Sequence, residues 1–387
     1  MSSSKTDWQA LAQTDVVFGV GASQKLPRLV GDEPTLLVTT SGAVERGTVD
    51  QLFKSSSRGN ITLFDQIESH YSLADIENSA RELAGINYKF IVALGGGSVI
   101  DAAKCFSVLL ASTEESLRDL IKDGEKLDSI SPISVIAVPT TAGSGSEVTT
   151  FATVWDYDQQ RKLSLASESI IPTAAIVDPT LTLSLPLRET LSSGLDAISH
   201  AFESIWNVNA TLATIALATE SLKLSLSSIK DAGTAPEGLG SRTRMSTASL
   251  YAGIAISHTR TALAHSVSYP LTIHIGLDHG FACSIMLPAI LKFNAAIDDG
   301  RLAKLARDLG QRDIESLWRH LDELLGMLEL PQLLGDIDLT FDRLSKLSAE
   351  MVTPQRSDNN LRDINFDDLD QILFDTTRML GRHRSQS

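Results

Sequence analysis

The chain has little that would tie it to an oxidising compartment, a membrane or a polyanion. Only two of its 387 residues are cysteine, Cys105 and Cys283, and neither sits in a CxxC pair. At most one disulfide could form, so a reduced, cytoplasmic protein is expected. No apolar run approaches the roughly 20 residues that span a bilayer. The opening "MSSSKTDWQALAQ" has neither the apolar core of a secretory signal nor arginine-rich transit character. Basic charge is also short, with 33 Lys+Arg against 48 Asp+Glu and a formal net charge of −15. That balance argues against partners held through a phosphate backbone. An anionic small molecule would need cations supplied locally. Nucleic acid and membrane are therefore not expected as partners. What remains, 43% hydrophobic and 21% charged residues without repeats, is a globular composition. The length suits two domains.

The first half alternates short apolar runs with helical patterns. "TLLVTT" (Thr35–Thr40), "ITLFD" (Ile61–Asp65), "FIVALG" (Phe90–Gly95), "ISVIAVPTT" (Ile133–Thr141) and "AAIVDP" (Ala174–Pro179) read as strands. Most are apolar throughout, as parallel strands covered on both faces must be. Amphipathic stretches such as Leu73–Ile86 lie between them, which predicts a doubly wound α/β domain over residues 1–187. From 188 to 387 the spacing is helical, broken by Gly, Pro and Asn turns, and predicts an all-α domain.

Two loops follow strands in the α/β half. "FIVALGGGSVIDAAK" puts three glycines between a strand and a helix that Ser98 can begin. Glycines let backbone approach a ligand closely, and helix N–H groups favour a pyrophosphate. A tight turn that binds nothing reads the same way, and "GGGS" is not a GxGxxG fingerprint. "PTTAGSGSEVT" repeats the arrangement after the next strand and adds hydroxyls at Thr140, Thr141 and Ser144. Two such loops at the carboxyl ends of neighbouring strands favour a dinucleotide crevice.

Histidine is concentrated in the helical half, with four of the eight in "HTRTALAHSVSYPLTIHIGLDHG" (His258–Gly280). Asp196 and His200, four apart in "GLDAISHAFES", share a helix face. With His265 and His279 they make one carboxylate and three imidazoles, a set suited to Fe²⁺ or Zn²⁺. Taken singly, each histidine reads as a satisfied core or capping residue rather than a ligand, and it is as a quartet that the metal reading gains ground.

The ordered combination of "GGGSVIDAAK", "PTTAGSGSEVT", "GLDAISHAFES" and "AHSVSYPL…DHG" resembles the iron-dependent (group III) alcohol dehydrogenase family. The resemblance runs from "FGVGA" (Phe18–Ala22) to the helical C-terminus. It implies a dehydroquinate-synthase-like fold, with NAD or NADP on the α/β domain, a divalent metal on the helical one and an active site in the cleft between them. A homodimer is expected. The implied metal ligands are Asp196, His200, His265 and His279, for Fe²⁺ with Zn²⁺ or Mn²⁺ as alternatives. The implied cofactor contacts are Thr40, Gly96, Gly97, Ser98, Asp101, Thr140, Thr141, Ser144, Lys162 and Leu181. Two departures stand out. The family pattern "HxxxHPLG" has Tyr269 in place of its second histidine, so any proton relay would pass through a phenol, a water or the cofactor ribose. The family's "VTD" is "VTT" here, and Thr40 leaves NAD and NADP equally open.

"HTRTALAHSVSYPLT" and "FATVWD" (Phe151–Asp156) resemble a subgroup that reduces phosphonoacetaldehyde to 2-hydroxyethylphosphonate. Phe151, Arg260, Thr261 and Tyr269 are then expected at the substrate, with His265 and Tyr269 as catalytic residues. Arginine suits a phosphonate, yet on a continuous helix Arg260 would point about 140° away from His265. Thr261 and Tyr269 point the better way, and Arg356 and Arg362 in "PQRSDNNLRD" are alternative anion holders. His258 and His274 read as supporting residues. A general short-chain alcohol or lactaldehyde dehydrogenase is the alternative within the family. A metal-dependent hydrolase or a non-catalytic binding protein is more remote, because both glycine-rich loops and all four ligand positions are in place.

Overall fold

The computed structural model describes residues 13–53, 59–68, 71–112, 116–235, 237–335, 337–354 and 356–385. The stretch read above for targeting signals, residues 1–12, lies outside them. The chain divides into two compact units, residues 12–184 and residues 185–387 apart from the extreme N-terminus. No helix of the described residues is long and apolar enough to cross a membrane.

The first unit is built on a six-stranded parallel sheet. Its strands are β1 (Asp15–Phe18), β2 (Thr35–Val38), β3 (Ile61–Phe64), β4 (Phe90–Gly95), β5 (Ser134–Pro139) and β8 (Ala174–Val177), in the order β1-β8-β5-β4-β2-β3. Between β5 and β8 the chain makes an antiparallel hairpin of β6 (Phe151–Asp156) and β7 (Arg161–Ala166). The continuous apolar runs follow from burial on both faces. Leu36, Val38, Ile91, Ala93, Val135 and Ala137 pack into one core, while Leu37, Val92, Leu94, Ile136 and Val138 pack into the other. The helix Leu73–Leu83 begins in a capping box, with Ser72 Oγ accepting from Asp75 N at 3.1 Å and Asp75 Oδ2 from Ser72 N at 2.9 Å.

Three strands carry no clear sequence signal. β1 is a four-residue edge strand with no fully buried position. The β6–β7 hairpin turns without a glycine, placing Gln160 at φ 48° instead, so the usual turn marker is missing.

The second unit is helical. Its longer members are Leu187–Ile205, Leu212–Leu226, Leu239–Thr259, Ile314–Met327 and Phe366–Ser385. Around the histidine-rich stretch the helices are short: Leu263–Pro270, a π-helical turn Leu271–Ile275 ended by Gly276 at φ 76°, and His279–Ser284. The helix carrying His258 does not continue to His265. It stops at Arg260, whose φ of 64° and ψ of 173° no helix can accommodate. The 140° separation expected of a continuous helix therefore does not apply.

Candidate metal and cofactor sites

In the first unit, the loops after β4 and β5 press against each other. A β-carbon on Gly97 would lie 2.8 Å from Ser144 Cβ, and one on Gly96 would lie 3.1 Å from Thr141 Cγ2. Gly96 caps the helix Gly97–Leu109 and, as a glycine, offers no side chain to its first-turn N–H groups. Ser98 is thus the second helical residue, not the first. An open helix N-terminus, a close-packed glycine turn and the neighbouring Thr140–Ser144 loop form a cradle that suits a pyrophosphate.

Beneath the cradle lies a buried polar network. Asp101 accepts from Ser146 Oγ and, at 2.8 Å, from Thr153 N, so both its oxygens are engaged within the protein. Lys104 is fully buried and donates to Ser146 Oγ, Thr149 O, Thr149 Oγ1 and Phe151 O at 2.9–3.1 Å. Burial lowers its pKa to about 8, against the opposing pull of Asp101 and Glu147. Thr40 caps the helix Ser41–Glu45, its hydroxyl accepting from Ala43 N at 3.2 Å. Lys162 lies on β7 opposite Trp155, and Leu181 packs against the sheet core. The turn of "FGVGA" is clamped by a residue sequence reading passed over: Asp178 accepts from Gly21 N and Ser23 N, each at 3.1 Å.

In the second unit, the helix Leu187–Ile205 presents Asp196, His200 and Glu203 along one stripe, at i, i+4 and i+7. His265 comes from the helix Leu263–Pro270 and His279 begins the next helix. That last helix touches the first almost backbone to backbone, since a β-carbon on Gly280 would fall 1.8 Å from Ser192 O. Gly280 is what allows His279 to approach Asp196.

Asp196, His265, His279 and Cys283 each offer a ligand atom within 4.8 Å of all the others. His200 adjoins them, its Nε2 3.6 Å from Asp196 Oδ1 and its ring stacked on His265 with centroids 4.5 Å apart. Tyr269 stacks on His279 at 5.9 Å with an interplanar angle of 7°, and the Arg356 guanidinium lies 4.6 Å from the centre of the Tyr269 ring. Ring upon ring, the site runs from His200 to a cation.

Glu203, which sequence reading missed, organises this site. It is fully buried and accepts from His265 Nδ1 at 2.6 Å, Ala262 N at 2.9 Å and His265 N at 3.2 Å. One carboxylate thus caps the helix Leu263–Pro270 and fixes the imidazole, with Nδ1 as donor and Nε2 turned to Asp196. Carboxylate–histidine pairs of this kind orient metal ligands. The signal was in the sequence as the seven-residue spacing from Asp196.

The donors fit a divalent cation. Asp196 Oδ1 and His265 Nε2 are buried 3.4 Å apart, too poorly aligned to share a hydrogen bond, and neither has another hydrogen-bond partner among the described residues, a costly state that a cation between them would relieve. Burial would raise the Asp196 pKa, but the imidazoles of His200, His265 and His279 hold it well below the usual carboxylate range. Burial likewise opposes a charged His265, yet Cys283, Glu203 and Asp196 raise its pKa well above the ordinary value. The pocket's negative field calls for positive charge.

The other expected residues are dispersed. Phe151 opens β6 in the first unit. Arg260 is exposed at its helix end, with its carbonyl held by Asn207 Nδ2 at 3.1 Å. Thr261 accepts at its carbonyl from Asn359 Nδ2 at 2.9 Å. Arg362 donates to Asp368 at 3.0 Å and stacks on Phe293. His274 pairs with Glu350 at 2.8 Å, and His258 is exposed.

A parallel-sheet unit with a phosphate cradle, joined in one chain to a helical unit with a buried carboxylate–imidazole cluster, defines a metal-dependent dehydrogenase. The family models bear this out: iron-containing alcohol dehydrogenase matches residues 13–179, and the C-terminal model of the same family matches 190–377. The chain belongs to the iron-containing alcohol dehydrogenase family. It is 32% identical to a phosphonoacetaldehyde reductase of Streptomyces viridochromogenes over 313 residues, 78% of this chain and 79% of that one. It is 27% identical to an NADPH-dependent butanol dehydrogenase of Clostridium saccharobutylicum over 380 residues, covering 93% and 95%. The solved structure of sulfoacetaldehyde reductase from Bifidobacterium kashiwanohense with NAD+ superposes with a TM-score of 0.86 at 26% identity, covering 96% of this chain and 99% of that one.

Proposed function

We propose that the enzyme reduces a short aldehyde bearing an anionic group to the primary alcohol with NAD(P)H, and that phosphonoacetaldehyde is the substrate. The observation that carries this reading is Arg356. Among the described residues its guanidinium has no carboxylate partner, and it lies over Tyr269, one ring from His279. In a chain of net charge −15, an unneutralised guanidinium beside the cluster is the local cation that an anionic substrate requires. Two of the relatives are named for aldehydes that carry an acidic group, which supports the same reading.

Asp196, His200, His265 and His279 would hold a divalent cation, iron by family, with zinc or manganese as alternatives. When bound, the cation supplies Lewis-acid polarisation of the carbonyl. Glu203 keeps His265 in the ligating tautomer. Arg356 binds the anionic end and thereby orients the aldehyde. Tyr269, which stacks on His279 and lies beside the Arg356 guanidinium, would hydrogen-bond the substrate oxygen and serve proton delivery. The glycine cradle and Thr140–Ser144 loop would hold the pyrophosphate of NAD or NADP.

The test follows NAD(P)H oxidation by metal-loaded protein with phosphonoacetaldehyde beside propanal, lactaldehyde and butanal, for wild type and Arg356→Met. The expected result is a preference for phosphonoacetaldehyde of about a hundredfold (roughly 2.7 kcal/mol) that Arg356→Met removes through KM. Equal use of butanal by the wild type would place the enzyme with the general short-chain alcohol dehydrogenases instead.

A further inference from the structure

Three tethers meet at the turn between the helices Leu239–Thr259 and Leu263–Pro270. Arg260 lies there at φ 64° and ψ 173°, a backbone region that is essentially glycine's and persists only where its surroundings over-determine it. Here the surroundings are two side-chain amides and a carboxylate. The fully buried Asn207 donates through Nδ2 to Arg260 O at 3.1 Å, and Asn359 donates through Nδ2 to Thr261 O at 2.9 Å. Glu203 accepts from Ala262 N at 2.9 Å. A continued helix would take both carbonyls into its own ladder, with Ala264 N and His265 N as donors. The break frees them for the two amides.

The Asn359 tether leads to Arg356. Asn359 N donates to Arg356 O at 2.9 Å, beside the short 3-10 turn Ser357–Asn359, and Asn359 O accepts from Val208 N at 2.9 Å. One residue on, the buried Asn360 and Asn294 exchange amide bonds at 2.8 and 3.2 Å. The segment bearing Arg356 is therefore registered on the same strained turn from which the helix of His265 starts.

We infer that Asn359 is a positioning residue for substrate selection: through Thr261 O it sets the Arg356 guanidinium, 4.6 Å from the centre of the Tyr269 ring, against the helix that carries His265. The inference rests on the reading of Arg356 as the holder of the anionic end and deepens it. In this role Asn359 touches no reacting atom and acts only through Arg356. Its loss weakens the binding of an anionic aldehyde and leaves a neutral one alone.

The test compares wild type, Asn359→Ala, Arg356→Met and the double variant, as metal-loaded full-length protein, with phosphonoacetaldehyde and with propanal. Asn359→Ala should raise KM for phosphonoacetaldehyde about tenfold, the equivalent of about 1.4 kcal/mol, with kcat and both constants for propanal unchanged. In the Arg356→Met background the same substitution should have no further effect, as expected of a residue that works only through another. A merely structural role would move the propanal constants too. An unchanged KM for phosphonoacetaldehyde in Asn359→Ala, an equal rise for propanal, or an effect that persists in full in the Arg356→Met background overturns the inference while the reading of Arg356 stands. Arg356→Met without effect on KM for phosphonoacetaldehyde, or a wild type without preference for it, overturns both. If Asn359→Ala does not fold, Asn359→Ser, which keeps a short polar side chain, decides through the same comparison.

Discussion

Replacing Glu203 with glutamine is the sharpest test of how the metal centre is built. The carboxylate is fully buried and accepts three hydrogen bonds, at 2.6, 2.9 and 3.2 Å, from one imidazole and two backbone N–H groups. Glutamine has nearly the same shape but one acceptor oxygen, so its amide N–H₂ must face a donor. At least one buried N–H then goes unsatisfied, at about 1–3 kcal/mol, and charge assistance is lost from the others. A total of about 2–4 kcal/mol should lower the melting temperature of the metal-free protein by roughly 5–15 °C, at about 2–4 °C per kcal/mol for a unit of this size. His265 also loses the partner that fixes its tautomer. Metal affinity should therefore fall about 10- to 100-fold, or roughly 1.4–2.7 kcal/mol. Chelator competition measures the affinity, and a thermal melt in excess chelator measures the stability. Both quantities unchanged in Glu203→Gln would refute the claim that this carboxylate organises the site.

Gly280→Ala should displace the helix bearing His279, because the new β-carbon would overlap Ser192 O; expression trials and metal titration should show a misfolded or metal-free protein. Arg260→Gly should relieve a left-handed backbone costing about 1–3 kcal/mol, raising the denaturation midpoint, and should leave KM for the anionic aldehyde unchanged if Arg356 is its holder. Lys104→Met should destabilise the protein by about 2–4 kcal/mol by stranding buried acceptors. It should also alter the pH dependence. With a folded pKa of about 8 below an unfolded value of about 10.4, the unfolded chain binds more protons in that interval. Lys104 therefore contributes a rise in stability between those pH values, and urea midpoints for the variant should lack it.

The parallel sheet was legible because burial on both faces writes itself as unbroken apolar runs such as "FIVALG". The edge strand Asp15–Phe18 and the hairpin Phe151–Ala166 were not, since one is short and half-covered and the other turns at Gln160 without glycine. In the helical unit, Asp196 and His200 are readable from their spacing, and their convergence with His265 and His279 came only with family resemblance. Glu203 shares the same stripe but reads as an ordinary surface charge until its depth is known. Arg356 could not be ranked above Arg260 or Arg362 because its place depends on contacts across distant segments. The break at Arg260 was invisible for another reason: nothing in "HTRTA" announces a positive φ at a non-glycine residue.

The segment that carries Arg356 is held differently from the ligand-bearing helices. Ser266 Oγ donates to Met351 O at 2.7 Å and accepts from Thr353 N at 3.0 Å, while Asn359 reaches Thr261. The metal-bearing helices, by contrast, meet backbone to backbone at Gly280, where no larger residue fits. Variation is therefore tolerated unequally. The helices admit almost no drift, whereas a strap hung from a few hydroxyl and amide groups can exchange its guanidinium for another head group without moving a ligand. With Arg356 reading the substrate's anionic end as proposed, a chain organised in this way can change its substrate while the buried cluster stays put, and selection for new substrates should begin at Arg356 itself.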